Sequence, residues 1–140
     1  DFSDTFKVSA DYFNKLKPNK KAQKGDVLYT VTGSFGIPVL MTENRDFCFQ
    51  RHIGLIRPKS NVSSEWLYYL LMTAQKTVSL KVLRSYSVPQ VPMSTQEIFA
   101  GRLQKMSEET QRLESIYQQK LTALAELKKS LLHQAFSGQL

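Results

Sequence analysis

The chain has 140 residues, of which 41% are hydrophobic and 22% are charged. This length suits one ordinary domain with an appendage, and the composition excludes a wholly disordered chain. There is no run of about 18 apolar residues, so we expect a protein that does not span a membrane. Cys48 is the single cysteine, which excludes an internal disulfide framework and predicts a reducing, cytoplasmic location. The first residue is Asp1 rather than Met, so a fragment of a longer chain is expected.

Positive charge is concentrated in the first two thirds of the chain. The formal net charge is +7, and residues 1–94 hold 13 of the 19 Lys and Arg but 7 of the 12 Asp and Glu, which gives them +6. Residues 95–140 hold the remaining +1. A basic globular part predicts a polyanionic partner such as nucleic acid, although the same charge can also serve only to keep a surface soluble.

Short strands are predicted in the first part of the chain, where Gly and Pro punctuate runs of β-branched and aromatic residues. They lie at residues 25–32, 36–41, 47–50 and 53–57, with a turn at 33–36. Pro38 indicates an edge strand or a bulge. Residues 63–72 predict a short helix capped by Ser63. Its buried face would consist of Trp66, Leu67, Leu70 and Leu71.

A Pro-containing segment, residues 87–92, separates two regions of different pattern. Proline disfavours a helix interior, so this segment is predicted to be extended. Ser94 and Glu97 then have the spacing of a capping box, and Gly138 suits a left-handed helix end near Phe136. The sequence therefore predicts an α+β fold. A small, mixed, β-rich domain with short helices spans residues 1–93, and one long helix follows within residues 94–140.

Apolar residues follow the predicted long helix at steps of three and four. About 42 residues at 1.5 Å each span about 63 Å, which exceeds the width of a small domain. Because water would contact this apolar stripe on a lone helix, we expect it to pack against a helix of another chain or of a second copy; packing against its own domain is the alternative. The stripe consists of Phe99, Leu103, Met106, Leu113, Tyr117, Leu121, Leu124, Leu127 and Leu131.

The sequence contains no recognisable catalytic or metal site. With one cysteine, Cys48, and two widely separated histidines, His52 and His133, the sequence offers no ligand pair at zinc spacing. Neither a Walker loop nor a dinucleotide-binding glycine motif is present, and no nucleophile lies at a spacing that indicates a partner base. We therefore expect a non-catalytic binding protein without a metal or a cofactor.

Three groups of side chains are candidates for contacting DNA. A lysine run before the first strand would neutralise phosphates, and polar residues near strand ends are of the types that contact base edges. A second basic patch follows the short helix. Each residue also has an ordinary interpretation as an exposed loop or strand residue. The candidates are Lys20, Lys21, Lys24, Thr30, Thr32, Ser34, Gln50, Arg51, His52, Lys76, Lys81 and Arg84.

Five stretches carry a family resemblance, namely residues 24–36 (KGDVLYTVTGSFG), 50–58 (QRHIGLIRP), 66–70 (WLYYL), 88–92 (VPQVP) and 124–138 (LAELKKSLLHQAFSG). Their order resembles the target-recognition domain and spacer helix of type I restriction–modification DNA specificity subunits, specifically the C-terminal half. Such members often have a longer Gly-rich stretch where Met72 here is followed almost directly by Lys76. Either this loop is deleted or its residues were not observed; if the loop is deleted, part of the DNA-contacting surface is expected to be missing with it.

The resemblance implies a function in sequence-specific recognition of duplex DNA. Specificity subunits of this family have two recognition domains, each for half of a split target, and two long helices that pack as an antiparallel coiled coil. They direct methyltransferase and restriction subunits to the target and contain no catalytic residues. With one domain and one helix, this chain resembles a half-subunit, and we expect it to form a homodimer. The alternative is a coiled-coil assembly module whose basic head binds protein or a phosphate-rich surface.

Overall fold

A computed structural model describes residues 5–32, 36–73, 85 and 87–138. The elements are α1 (Ala10–Lys15), a 3-10 turn (Pro18–Lys20), β1 (Val27–Thr30), β2 (Pro38–Leu40), β3 (Ile53–Ile56), α2 (Ser64–Thr73) and α3 (Met93–Phe136). The predicted α+β class is confirmed, since a small sheet with short helices precedes one long helix. The sequence pattern had not predicted α1 or the 3-10 turn.

The three strands form one antiparallel sheet in the order β2-β1-β3. Leu28 of β1 lies opposite Val39 on one side and Leu55 on the other. The strand predicted at residues 47–50 is wrong, because these residues form no strand. Phe47 and Phe49, whose ring centroids lie 6.2 Å apart, instead line a cavity of about 640 Å³ together with Leu28. These two side chains therefore lie over the second face of the sheet, and their backbone adds no strand to it.

The core lies between the first face of the sheet and α2. Val27, Tyr29 and Val31 alternate along the chain and therefore share one face. They are buried in one cluster with Leu67 and Leu71 of α2. Full burial of an aliphatic side chain of this size contributes about 1.5–3 kcal/mol, so these contacts hold α2 on the sheet.

The predicted start of α2 is confirmed. The backbone N–H of Trp66 donates to Ser63 Oγ at 3.2 Å, which satisfies one of the free amides at a helix start. On the predicted buried face, Leu67 and Leu71 are buried, whereas Trp66 and Leu70 are half-buried.

The long helix begins at Met93, two residues earlier than the capping pattern predicted. The backbone N–H groups of Thr95 and Gln96 donate to the carbonyl of Pro92 at 2.9 and 3.1 Å. Ser94 therefore lies inside the first turn and the predicted capping box is wrong. At the other end the prediction is confirmed, because α3 ends at Phe136 and Gly138 adopts a left-handed φ of 71°.

The chain divides into two compact units, Asp1–Ala100 and Gly101–Leu140. The first two turns of α3 thus belong to the first unit. All nine residues of the apolar stripe are exposed, from 36% for Leu103 to 66% for Met106. Their pairing with another helix stays a prediction.

Candidate nucleic-acid interface

Several predicted DNA-contacting residues lie together at one end of the sheet, where β1 ends and β3 begins. Because β1 and β3 are antiparallel, Thr30 at the end of β1 pairs with Ile53 at the start of β3. The turn at residues 50–52 precedes Ile53, and the backbone N–H of Val31 donates to the carbonyl of His52 at 2.8 Å. We call this region the turn edge; it consists of Thr30, Thr32, Gln50, Arg51 and His52.

The side chains of the turn edge differ in what they are free to contact. Gln50, Arg51, His52 and Thr32 are exposed, so they can reach an outside ligand. Thr30 is half-buried, and its Oγ1 accepts the backbone N–H of Ile37 at 2.9 Å. The Thr30 hydroxyl therefore closes the connection from β1 to β2, which is a structural task that the sequence did not indicate.

The predicted lysines lie on the segment of residues 20–24, here called the lysine segment, which leads into the opposite end of β1. Lys20 Nζ lies 5.8 Å from the centre of the Phe49 ring. Lys21 Nζ lies 4.9 Å from the centre of the Phe13 ring and donates to the carbonyl of Asn14 at 3.1 Å. Contacts of ammonium groups with aromatic faces are weakly attractive, and of these two residues Lys20 is exposed whereas Lys21 is half-buried.

An ion pair between the buried Asp26 and the exposed Arg57 adjoins the lysine segment. Asp26, 2% exposed, accepts two hydrogen bonds from Arg57: one from Nε to Oδ1 at 2.8 Å and one from Nη2 to Oδ2 at 2.7 Å. The hydrogen bond to Asp26 raises the pKa of Arg57, and desolvation opposes that change in part. The two hydrogen bonds make the pair bidentate.

The sequence analysis missed this pair. The available signal was Asp26, a carboxylate directly before an otherwise apolar strand, which must find a partner if it is buried. Arg57 directly follows another strand of the same sheet. Because β1 and β3 are antiparallel, the start of one and the end of the other are neighbours.

A second missed residue is Gln96, which joins the start of α3 to the loop before α2. Gln96 is 2% exposed. Its Oε1 accepts the backbone N–H of Ser63 at 2.8 Å, and its Nε2 donates to the carbonyls of Asn61 and Val91 at 2.9 and 2.8 Å. All of these partners except Val91 are more than 30 residues away in sequence, so no local pattern marks Gln96.

A model of the type I restriction modification DNA specificity domain matches residues 2–123. The chain belongs to this family. Its members are specificity domains and are not catalytic. The match includes the whole sheet, the lysine segment, α2 and more than half of α3, so the candidate interface lies inside the family domain.

Two solved structures resemble this specificity domain. One is from work on the structural basis of complex assembly and conformational transition of the type I R-M system; its matching chain has 24% identity and a TM-score of 0.72. The alignment covers 86% of this chain and 32% of that one. The other is the crystal structure of the HsdS subunit from Thermoanaerobacter tengcongensis, with 25% identity and a TM-score of 0.60, covering 70% of this chain and 26% of the subunit. The chain thus spans about a third or less of these proteins.

Some predictions for this specificity domain lie outside the described residues, namely those for Ser34, Lys76, Lys81 and Arg84. Among residues 5–32, 36–73, 85 and 87–138, no group of three or more His, Cys, Asp or Glu could hold a metal ion. In the same part of the chain no helix is long and apolar enough to cross a membrane.

Proposed function

We propose that this chain recognises duplex DNA sequence-specifically as half of the specificity subunit of a type I restriction–modification complex. In that complex it directs methyltransferase and restriction subunits to a split target in the cytoplasm. The family match over residues 2–123 is the observation that supports this proposal most strongly. The excess of cations in the same region agrees with a polyanionic ligand.

The two groups of candidate residues have different tasks in this proposal. Lys20, Lys21 and Lys24 contact phosphates, which supplies affinity without sequence preference. Arg51 and Gln50 at the turn edge contact bases, since a guanidinium suits guanine and a carboxamide suits adenine in the major groove. Both side chains are exposed and lie on a short turn next to the sheet, which supports their backbone rigidly.

The second half of a split target requires a second recognition domain, and the proposed source is another copy of this chain. Burial of exposed leucines such as Leu121 and Leu124, each 61% exposed, would hold two α3 helices together as an antiparallel coiled coil. A two-fold dimer would give the two domains inverted orientations. Its target would then be an inverted repeat. Light scattering should give twice the chain mass of 16.0 kDa; a monomer at micromolar concentration would contradict this part of the proposal.

Sequence selection from a randomised duplex library tests the function. We expect one enriched motif, and we expect Arg51→Ala to change it while the lysine variants preserve it. The triple variant Lys20→Ala, Lys21→Ala, Lys24→Ala should weaken binding to every duplex. It should also reduce the dependence of log affinity on log salt by about 0.9 for each phosphate that the protein no longer neutralises.

The matched control removes the same charge from α3 through Lys120→Ala, Lys128→Ala and Lys129→Ala. We expect it to leave both the motif and the salt dependence unchanged. Equal weakening by the two triple variants would mean that overall charge, not the lysine segment, supplies the affinity. Absence of any enriched motif would refute sequence recognition and favour the assembly module with a phosphate-binding head.

A further inference from the structure

Asp26 and Arg57 both bond to the backbone of the lysine segment as well as to each other. Arg57 Nη2 donates to the carbonyl of Lys21 at 3.2 Å. Asp26 Oδ2 accepts the backbone N–H of Gln23 at 2.8 Å. Two of the five residues of the segment are thus tied to one ion pair, and Lys24 is tied by its N–H to Asn44 Oδ1 at 2.8 Å.

Stability alone is a weak explanation for such a pair. Removing a carboxylate from water carries a desolvation penalty that the attraction of its partner only offsets, so hydrophobic residues of similar size often serve a fold equally well. The distinctive property of a bidentate pair is its fixed geometry. Here the pair bonds to the backbone on either side of Ala22, at the carbonyl of Lys21 and the N–H of Gln23, and so fixes the path of the segment.

We infer that Asp26 and Arg57 are positioning residues for the phosphate contact. They hold the lysine segment in one conformation, so that Lys21 and Lys24 meet the DNA backbone without first having to be ordered. The charge of Arg57 is paired with Asp26, although its side chain is 41% exposed, and in this inference Arg57 acts through the segment. This inference rests on the proposed function, because DNA is the ligand whose phosphates the lysines contact.

Asp26→Asn separates positioning from charge. Both carboxylate oxygens accept N–H donors: Oδ1 from Arg57, and Oδ2 from Arg57 and Gln23. An asparagine places an NH₂ group either against Arg57 Nε or against Gln23 N–H and Arg57 Nη2, so in both orientations the bidentate pair that positions the segment is broken. The substitution also makes the chain more positive by one charge. A purely electrostatic role therefore predicts tighter DNA binding, whereas positioning predicts weaker binding.

The experiment measures binding of the full chain to one mixed-sequence duplex by fluorescence anisotropy over a range of salt concentrations. We expect Asp26→Asn to lower affinity about fivefold, because flexible lysines must then be ordered on binding. The control is Glu43→Gln, which removes another acid paired with an arginine, the exposed Glu43–Arg45 pair at 3.1 Å. It should bind as tightly as the parent or more tightly. Circular dichroism verifies that each variant is folded.

Arg57→Lys is the second variant, needed if Asp26→Asn does not fold. It preserves the net charge but replaces the planar fork by a single ammonium, so it should also weaken binding. Hydrogen exchange of the backbone amides of residues 21–24 gives an independent measurement. These amides should exchange faster in both variants than in Glu43→Gln.

A double-mutant comparison with Lys21→Ala, Lys24→Ala decides the inference. If the pair acts through these lysines, Asp26→Asn should change affinity less than twofold in their absence. An equal loss in both backgrounds, or binding of Asp26→Asn as tight as that of Glu43→Gln, would overturn the positioning role and leave DNA binding intact. If the double lysine variant itself binds as the parent does, the proposed phosphate contact fails, and the positioning role fails with it.

Discussion

Replacing Gln96 with alanine tests how firmly the start of α3 is joined to the loop before α2. The carboxamide makes three hydrogen bonds of 2.8–2.9 Å and is 2% exposed. Alanine removes all three bonds and leaves the backbone N–H of Ser63 and the carbonyls of Asn61 and Val91 without that partner. It also leaves a void where the side chain was.

The expected loss follows from those bonds. A hydrogen bond contributes about 0.5–1.5 kcal/mol net, and a buried group left without a partner costs about 1–3 kcal/mol. Asn61 is exposed and Val91 half-buried, so water can replace part of what their carbonyls lose. We therefore expect Gln96→Ala to lower the free energy of unfolding by about 3 kcal/mol. This is a large share of the roughly 5–15 kcal/mol that stabilises a typical domain.

Urea denaturation followed by Trp66 fluorescence measures the effect locally. Trp66 is the single tryptophan, and its ring centroid lies 6.2 Å from that of Phe99 on the same part of α3. With a typical urea m-value of about 2 kcal/mol/M, the midpoint should fall by about 1.5 M. The control is Gln119→Ala on the exposed surface of α3. Chain concentration must be constant, since dimerisation would add to apparent stability. A difference below about 0.5 kcal/mol between the two variants would refute the reasoning.

Two further predictions concern backbone conformation and helix pairing. Gly25 has a φ of +89°, and an added Cβ would lie 3.2 Å from Ser64 Oγ, so Gly25→Ala should destabilise the fold by about 1–3 kcal/mol. Gly101 lies on α3 with open space where a Cβ would be added, so Gly101→Ala should stabilise the fold by up to about 1 kcal/mol in the same urea assay. If both glycine variants destabilise the fold, the difference expected from backbone conformation is contradicted. Leu121→Lys removes one leucine from each of the two copies in the proposed dimer. It should raise the dissociation constant of the dimer about a hundredfold or more, as measured by analytical ultracentrifugation. The control Thr122→Lys should leave the dissociation constant unchanged. If the two variants raise it equally, the apolar stripe is not the dimer contact.

Local patterns predicted the features that local chemistry determines. Ser63 was identified as a cap because a hydroxyl before an apolar helix needs only the amide three residues later, and the structure confirms it. The long helix was predicted within two residues at its start and correctly at its end. A lack of Pro, a helical hydrophobic period and Gly138 are all properties of the segment itself.

Features that depend on distant partners were not predictable in the same way. Asp26 and Arg57 are 31 residues apart, and Gln96 is 33 residues from Ser63. The aromatic residues Phe47 and Phe49 favour a strand by propensity. Whether they join the sheet edge or line a cavity over its face depends on tertiary contacts. The candidate site divides in the same way: residue types suggested which side chains could contact DNA, but not which of them would lie together.

The hydrogen bonds of the turn edge have a consequence for how target preference can change. His52 accepts from Val31 and Gln50 accepts from Ile53 through main-chain carbonyls. The side chains of residues 50–52 are exposed, although those of Gln50 and His52 also line the cavity over the second face of the sheet. Most amino acids can supply those carbonyls equally well. Substitutions of Arg51, which does not line this cavity, should therefore be nearly neutral for folding, so new base preferences can be sampled there by mutation without the destabilisation that usually accompanies changes in a binding surface.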